Sequence, residues 1–116
     1  VDPDCLFCRI VAKAIPATVV HETDTTLAFR DISPQAPVHV LVIPKEHHRD
    51  LVALAQADPA LAADVLATAA AVAEAEGLLG DGFRLIFNNG GHAGQDVFHV
   101  HAHVLGGRAL GPMMSA

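Results

Sequence analysis

Basic residues are scarce in this sequence: seven lysines and arginines stand against thirteen aspartates and glutamates, a formal net charge of −6. That shortage excludes a general nucleic-acid binder, which needs a basic face. Any anionic ligand must be held by local donors, against the field of the whole chain. Long apolar runs are missing too, and none approaches the ~20 residues of a membrane-spanning helix. The opening Val1-Asp2-Pro3-Asp4 has neither the basic nor the apolar region of a secretion signal. It also has no initiator methionine, which suggests a trimmed N-terminus, and the expected compartment is the cytoplasm. Cysteine is limited to Cys5 and Cys8. A lone Cys-x-x-Cys without a secretion signal points to metal binding or redox chemistry more than to a structural disulfide. Repeats and linkers are absent. With 52% apolar and 17% charged residues, disorder is disfavoured. The 116 residues suffice for one domain, 1–116, with a single hydrophobic core.

What is present reads as a short series of elements. Residues 4–13 suit an amphipathic helix capped by Asp4, with Leu6, Phe7 and Ile10 in its apolar stripe and Pro16 beyond its end. Thr18 to Glu22 and Thr25 to Arg30 read as two strands about a turn at Thr23-Asp24. Val38 to Ile43 is apolar almost throughout, as in a central strand, and Pro44 closes it. His39 within it is expected to be a hydrogen-bonded core histidine. Lys45 to Asp50 is a charged turn leading into a helical turn. Asp58-Pro59 is a strong helix start, Gly77 a stop, and Leu61, Val65, Ala69 and Val72 fall on one face between them. Phe83 to Phe87 is a further strand. Helix, three strands, helix and two strands predict an α+β domain, in which one long helix covers an antiparallel five-stranded sheet.

The last strand carries the chemistry. In Phe98 to Leu105, His99, His101 and His103 alternate with Val100, Ala102 and Val104, the period of a half-buried strand. Same-face neighbours on a strand are roughly 7 Å apart, so the pattern predicts a row of three imidazoles on one surface. A glycine-rich loop, Asn88 to Asp96, precedes them, and its amides are expected to turn toward an anion beside the row. A neutral imidazole is nucleophilic near physiological pH, and attack needs one bare nitrogen while the other is held by a hydrogen bond. The central His101, flanked by two imidazoles, is the natural nucleophile.

His99-x-His101-x-His103, with Gly94-Gln95-Asp96-Val97-Phe98 before it and Leu105-Gly106-Gly107-Arg108 after it, resembles the histidine triad (HIT) family of nucleotide hydrolases and transferases. Leu27 to Pro37 and Val42 to His47 are also similar to the Hint branch of that family, of bacterial purine nucleoside phosphoramidase type. The likeness spans about residues 5–108 and leaves 109–116 as a tail. It implies a HIT-like fold, a homodimer joined through the long helices and last strands, and a purine nucleotide substrate with AMP as the favoured product. It implies His101 as nucleophile, forming a nucleotidyl-histidine intermediate, with His103 and His99 as its catalytic companions. In the same likeness Asp31 accepts the ribose hydroxyls, Phe29 and Ile32 line the base pocket, and Asn88 sits near the phosphate. Gly94, Gln95, Asp96 and Val97 complete the nucleotide-binding set. The residues' own reading of Asp31 is a loop cap.

Two departures stand out. Asp96 occupies a position where the Hint pattern carries a hydroxyl donor, and a carboxylate cannot donate and repels phosphate. The tail lacks the tryptophan-proline ending that shapes leaving-group preference in animal Hint proteins. Cys5, Cys8, His47 and His99 have the donor types of a tetrahedral Cys₂His₂ zinc site, structural because no coordination position stays open. Spacing supports only the cysteine half; the resemblance supplies the rest, and favours His47 over His48. His21 and His92 are expected at the surface. The leading expectation is a hydrolase, the alternative a nucleotide-binding module of the same fold with little turnover. A catalytic zinc on the three triad histidines ranks last, because successive same-face residues converge poorly on one ion.

Overall fold

The computed structural model describes residues 3–114; positions 1, 2, 115 and 116, the outer ends of the opening stretch and the tail, lie outside the described residues. Within the described residues five strands build one sheet: β1 Val19–Glu22, β2 Thr26–Arg30, β3 Val38–Pro44, β4 Arg84–Phe87 and β5 Ala102–Gly106. Their order is β1-β2-β3-β5-β4, and every pairing is antiparallel. Among the described residues three α-helices accompany them: α1 Leu6–Val11, α2 Leu51–Ala57 and α3 Pro59–Ala75. Among the described residues no helix is long and apolar enough to cross a membrane.

Apart from His39, strand β3 is apolar because both of its faces are covered. Val40 and Val42 join Ala28, Ala102 and Val104 beneath Leu61, Val65, Ala69 and Val72 of α3. On the other face Leu41 and Ile43 pack with Leu27, Phe29, Phe7 and Cys8. Register places Leu41 opposite His103 and His39 opposite Leu105. His39, Leu41 and His103 therefore share the face that carries α1, not the face under α3. This partition puts polar chemistry on one side of the sheet and the larger apolar core on the other.

Helix α3 forms as its sequence dictates. Asp58 accepts a hydrogen bond from the Leu61 amide at 3.0 Å, Pro59 fills the first position, and Gly77 ends the helix at φ +74°. Val65 and Val72 are wholly buried, each contributing about 1.5–3 kcal/mol relative to exposure. A hydroxyl pair, Thr26 with Thr68 at 2.7 Å, ties the helix to β2 and leaves neither buried oxygen unpaired.

Three expectations need correction. Cys5, not Asp4, caps α1, its Sγ accepting from the Cys8 amide at 3.4 Å; the docked residues are Phe7 and Cys8, while Leu6 is exposed. A full helix, α2, stands where only a helical turn was expected, capped by Asp50 through the Ala53 amide at 2.9 Å. Strand β5 begins at Ala102 rather than Phe98. Ala102 is where the chain first finds partners on both sides, Val42 of β3 and Phe87 of β4.

Candidate active site

The late start of β5 leaves only His103 of the three imidazoles on a paired strand. His99 lies in a bend and is wholly buried. His101 lies just before the strand and His103 within it, with ring centroids 5.1 Å apart. Fixed backbone partners decide where the protons sit. His101 Nδ1 is 2.8 Å from the His99 carbonyl oxygen, which can only accept, so Nδ1 carries a hydrogen, and in the neutral ring Nε2 is the bare nitrogen. The Gln35 amide, which can only donate, points at His39 Nδ1 at 3.0 Å. The hydrogen of neutral His39 is thus on Nε2, and it is donated to His103 Nδ1 at 2.9 Å, with Asp31 Oδ2 3.4 Å from the same nitrogen. His103 in turn keeps its hydrogen on Nε2. A bare nitrogen on His101 and an N–H on His103 then stand side by side.

Burial holds both members of the relay neutral. It pushes His103 down to about 4; the neighbouring imidazoles of His101 and His39 add to this, while Asp31 and Asp96 oppose it. Burial lowers His39 as well, against the pull of Asp31. His39 was expected only as a satisfied core histidine, and it is one. What the sequence did not reveal is that its partner is a triad member, because that requires the β3–β5 register.

His101 and His103 close one end of a cleft of about 550 Å³. Phe7, Ile10, Phe29 and Leu41 form its apolar wall, Ile32 stands at the lip with 99% exposure, and Asp31, Asp96 and Val97 border it. Asp31 is both a loop cap and a cleft residue: Oδ1 accepts from the Ser33 amide at 2.8 Å, while Oδ2 faces His39. Asp96 is exposed and also borders a second hollow of about 410 Å³, shared with His47, Arg49 and Phe98. The Arg49 guanidinium rests 4.2 Å above the Phe98 ring.

Several amides of the glycine-rich loop are taken up within the loop itself. Ala93 and Gln95 donate to the Gly90 carbonyl and Gly94 to that of Gly91. Asn88 donates to the Ala93 carbonyl at 2.8 Å, closing the loop from inside. Buried Gln95 accepts from the Gly90 amide and donates to the carbonyls of Arg49 and Val97. Asn88, Gly94 and Gln95 therefore shape the loop, whereas Phe29, Asp31, Ile32, Asp96 and Val97 reach the cleft.

His99 turns the other way. Its Nε2 donates to the Pro44 carbonyl at 2.8 Å, which leaves Nδ1 bare, and burial lowers this ring to about 4. Nδ1 sits 3.4 Å from Cys5 Sγ, 3.5 Å from Cys8 Sγ and 3.2 Å from His47 Nδ1. Cys8 Sγ and His47 Nδ1 are 3.4 Å apart. Zinc bonds of about 2.3 Å to sulfur and about 2.05 Å to nitrogen imply tetrahedral edges of roughly 3.3–3.8 Å. Four of the six edges, at 3.2–3.5 Å, stand close to these separations, and all four donors lie within 4.8 Å of one another. Asp31, His39 and His103 also cluster, but the 2.9 Å between their ring nitrogens is a hydrogen bond, with a proton between them. His48 is turned to Glu46 at 2.8 Å, outside the set.

An antiparallel sheet carrying two hydrogen-bonded histidines at the end of an apolar cleft defines a class of histidine-centred α+β proteins. Residues 12–110 match the HIT domain, and the chain belongs to that family. It is 42% identical over 112 residues to the purine nucleoside phosphoramidase of Escherichia coli K12, covering 97% of this chain and 94% of the relative. A 14 kDa zinc-binding protein of Brassica juncea is 47% identical over 111 residues, covering 92% of this chain and 96% of that one. Among solved structures, a HIT family hydrolase from Clostridium thermocellum matches with a TM-score of 0.94 at 41% identity, over 99% of this chain and 100% of the other. The fold is the HIT fold, and these matches place the chain among HIT family hydrolases.

Proposed function

We propose that the chain hydrolyses nucleoside phosphoramidates or acyl-adenylates at the α-phosphorus, releasing a nucleoside monophosphate, with AMP the principal product. The complementary tautomers carry this reading: a bare Nε2 on His101 beside an N–H on His103, at the end of an apolar cleft. The base would lie against Phe29 and the ribose hydroxyls would donate to Asp31, whose carboxylate only accepts. His101 Nε2 attacks phosphorus, the bond to the leaving amine or carboxylate breaks, and a nucleotidyl-His101 forms. His103 Nε2–H bonds a phosphoryl oxygen as charge develops there. Phosphate charge nearby raises the proton affinity of His103, so that with substrate bound it takes up a proton and passes its Nε2 hydrogen to the departing amine nitrogen, returning to the neutral ring; such assistance is worth ~10²–10⁴-fold. Water then attacks phosphorus and gives up a proton to His103, the P–N bond to His101 breaks, and His101 recovers its lone pair. The phosphoramidase named among the relatives supports this substrate class.

Cys5, Cys8, His47 and His99 would hold a zinc ion, which when bound ties three chain segments together with no position left for substrate. Thiol ligands persist in a reducing compartment, consistent with a cytoplasmic protein. A homodimer is proposed through the outer edge of β4, which pairs on one side only among the described residues, and the exposed Leu66 on α3. The net charge of −6 weighs against nucleic-acid partners. Asp96 is the observation behind the second reading, a nucleotide-binding module with little turnover. AMP release from adenosine 5′-phosphoramidate by wild type and His101→Ala separates the two. Turnover that disappears in the variant supports the hydrolase; AMP binding without turnover in wild type supports the binding module.

A further inference from the structure

We infer that the cysteine–histidine set is a positioning device for the nucleophile and for the cleft wall, so that metal occupancy controls nucleotide affinity as well as stability; this rests on reading the cleft as the nucleotide site. Two physical routes lead from the set to the cleft. The first runs through His99. Its ring supplies a donor to the set and is anchored to Pro44, while its own carbonyl holds the Nδ1–H of His101 at 2.8 Å. His99 lies outside the sheet ladder, so strand pairing does not fix its peptide. The ring's anchors do so together with the Val100 amide of the same peptide plane, which donates at 2.8 Å to the carbonyl of His48, next to the donor His47. A peptide plane that rotates at His99 releases the hydrogen bond that keeps His101 Nε2 bare.

The second route runs through α1. Cys5 caps this helix and Cys8 lies within it. Between them Phe7 meets His101 edge-on at 5.0 Å, Phe29 at 5.5 Å and His99 at 5.9 Å. Phe7, Leu6 and Ile10 are also cleft residues. Six residues are far fewer than the ~12–15 that make an isolated helix even marginal in water. Helix α1 therefore keeps its place by packing and by what binds its two thiols. A metal that joins residues 5 and 8 to His47 and His99 fixes the wall and the nucleophile in one step.

The test uses the full chain, chelated and then reloaded with one equivalent of Zn²⁺, with Co²⁺ absorption reading tetrahedral coordination by two thiolates and two imidazoles. The expected result is one metal per chain. A protected His101 Nδ1–H signal and shifted Phe7 ring signals in NMR spectra should appear only in the loaded form. AMP binding should be about tenfold tighter when loaded, as outer-shell partners of a metal site typically matter 10–100-fold. His47→Gln removes a donor that touches neither His101 nor Phe7 in the contacts described, and should reproduce the chelated form with one equivalent of Zn²⁺ present. Identical His101 and Phe7 signals with and without metal would overturn the inference, as would failure to bind one metal per chain. These signals need no nucleotide. Loaded protein that neither binds AMP nor hydrolyses the phosphoramidate would instead overturn the substrate assignment.

Discussion

Replacing His39 by glutamine or by asparagine separates its two hydrogen bonds, because each substitute keeps one of them. His39 is 6% exposed, accepts from the Gln35 amide at 3.0 Å and donates to His103 at 2.9 Å. A glutamine amide nitrogen falls near the imidazole Nε2 and keeps the donor to His103, while the Gln35 amide loses its acceptor. An asparagine oxygen falls near Nδ1 and keeps that acceptor, while His103 Nδ1 loses its donor. A net hydrogen bond is worth about 0.5–1.5 kcal/mol, and about 1.4 kcal/mol is tenfold in rate. His39→Asn should therefore lower kcat for adenosine 5′-phosphoramidate about tenfold with KM little changed. His39→Gln should stay within about threefold of wild type while losing about 1 kcal/mol of stability at the exposed Gln35 loop. Steady-state kinetics with denaturant unfolding of both variants measures this. Equal kcat in the two, or an asparagine variant as fast as wild type, would refute the relay.

Asp96→Ser should raise kcat/KM for a phosphoramidate with a neutral leaving group about two- to fivefold, the scale of an exposed charge contact at ~0.2–1 kcal/mol. The gain should shrink as salt is raised, and a leaving group bearing an ammonium should gain less, since Asp96 borders both hollows and would attract it. His103 titrates near 4 in the folded chain against a usual 6.5, so the unfolded chain binds the extra proton between those values. Its contribution to stability is full above about pH 6.5 and is lost as pH falls toward 4. Metal-free wild type should lose Tm over that range more steeply than His103→Asn; parallel curves would contradict the assignment.

Much of the fold was legible because local signals agreed with tertiary demands. Asp58-Pro59, the Leu61–Val65–Ala69–Val72 face and Gly77 marked α3 without help from the rest of the chain. The apolar run of β3 marked a strand covered on both faces. The triad misled about the length of the strand: the alternation of His99, His101 and His103 extends past the point where partners exist, so that only His103 lies within β5. Helix α2 carried a signal in Asp50 followed by Leu51 and Leu54, but its seven residues are too few for periodicity to declare itself. The inward turn of Asn88 and Gln95 depends on how one loop closes on itself. The His39–His103 bond depends on strand register. Neither is written locally. The donor types of the Cys5–Cys8–His47–His99 set were visible, whereas their convergence needed α1, the turn after β3 and the bend before β5 in place.

The stereochemical course at phosphorus is the most direct test of His101 as a covalent nucleophile. One Pα diastereomer of an adenosine 5′-phosphoramidothioate would be hydrolysed in ¹⁸O-labelled water and the configuration of the chiral product determined. Two successive in-line displacements, first by His101 and then by water, predict net retention. Net inversion would mean that water attacks the substrate directly, and the nucleotidyl-His101 intermediate would have to be abandoned.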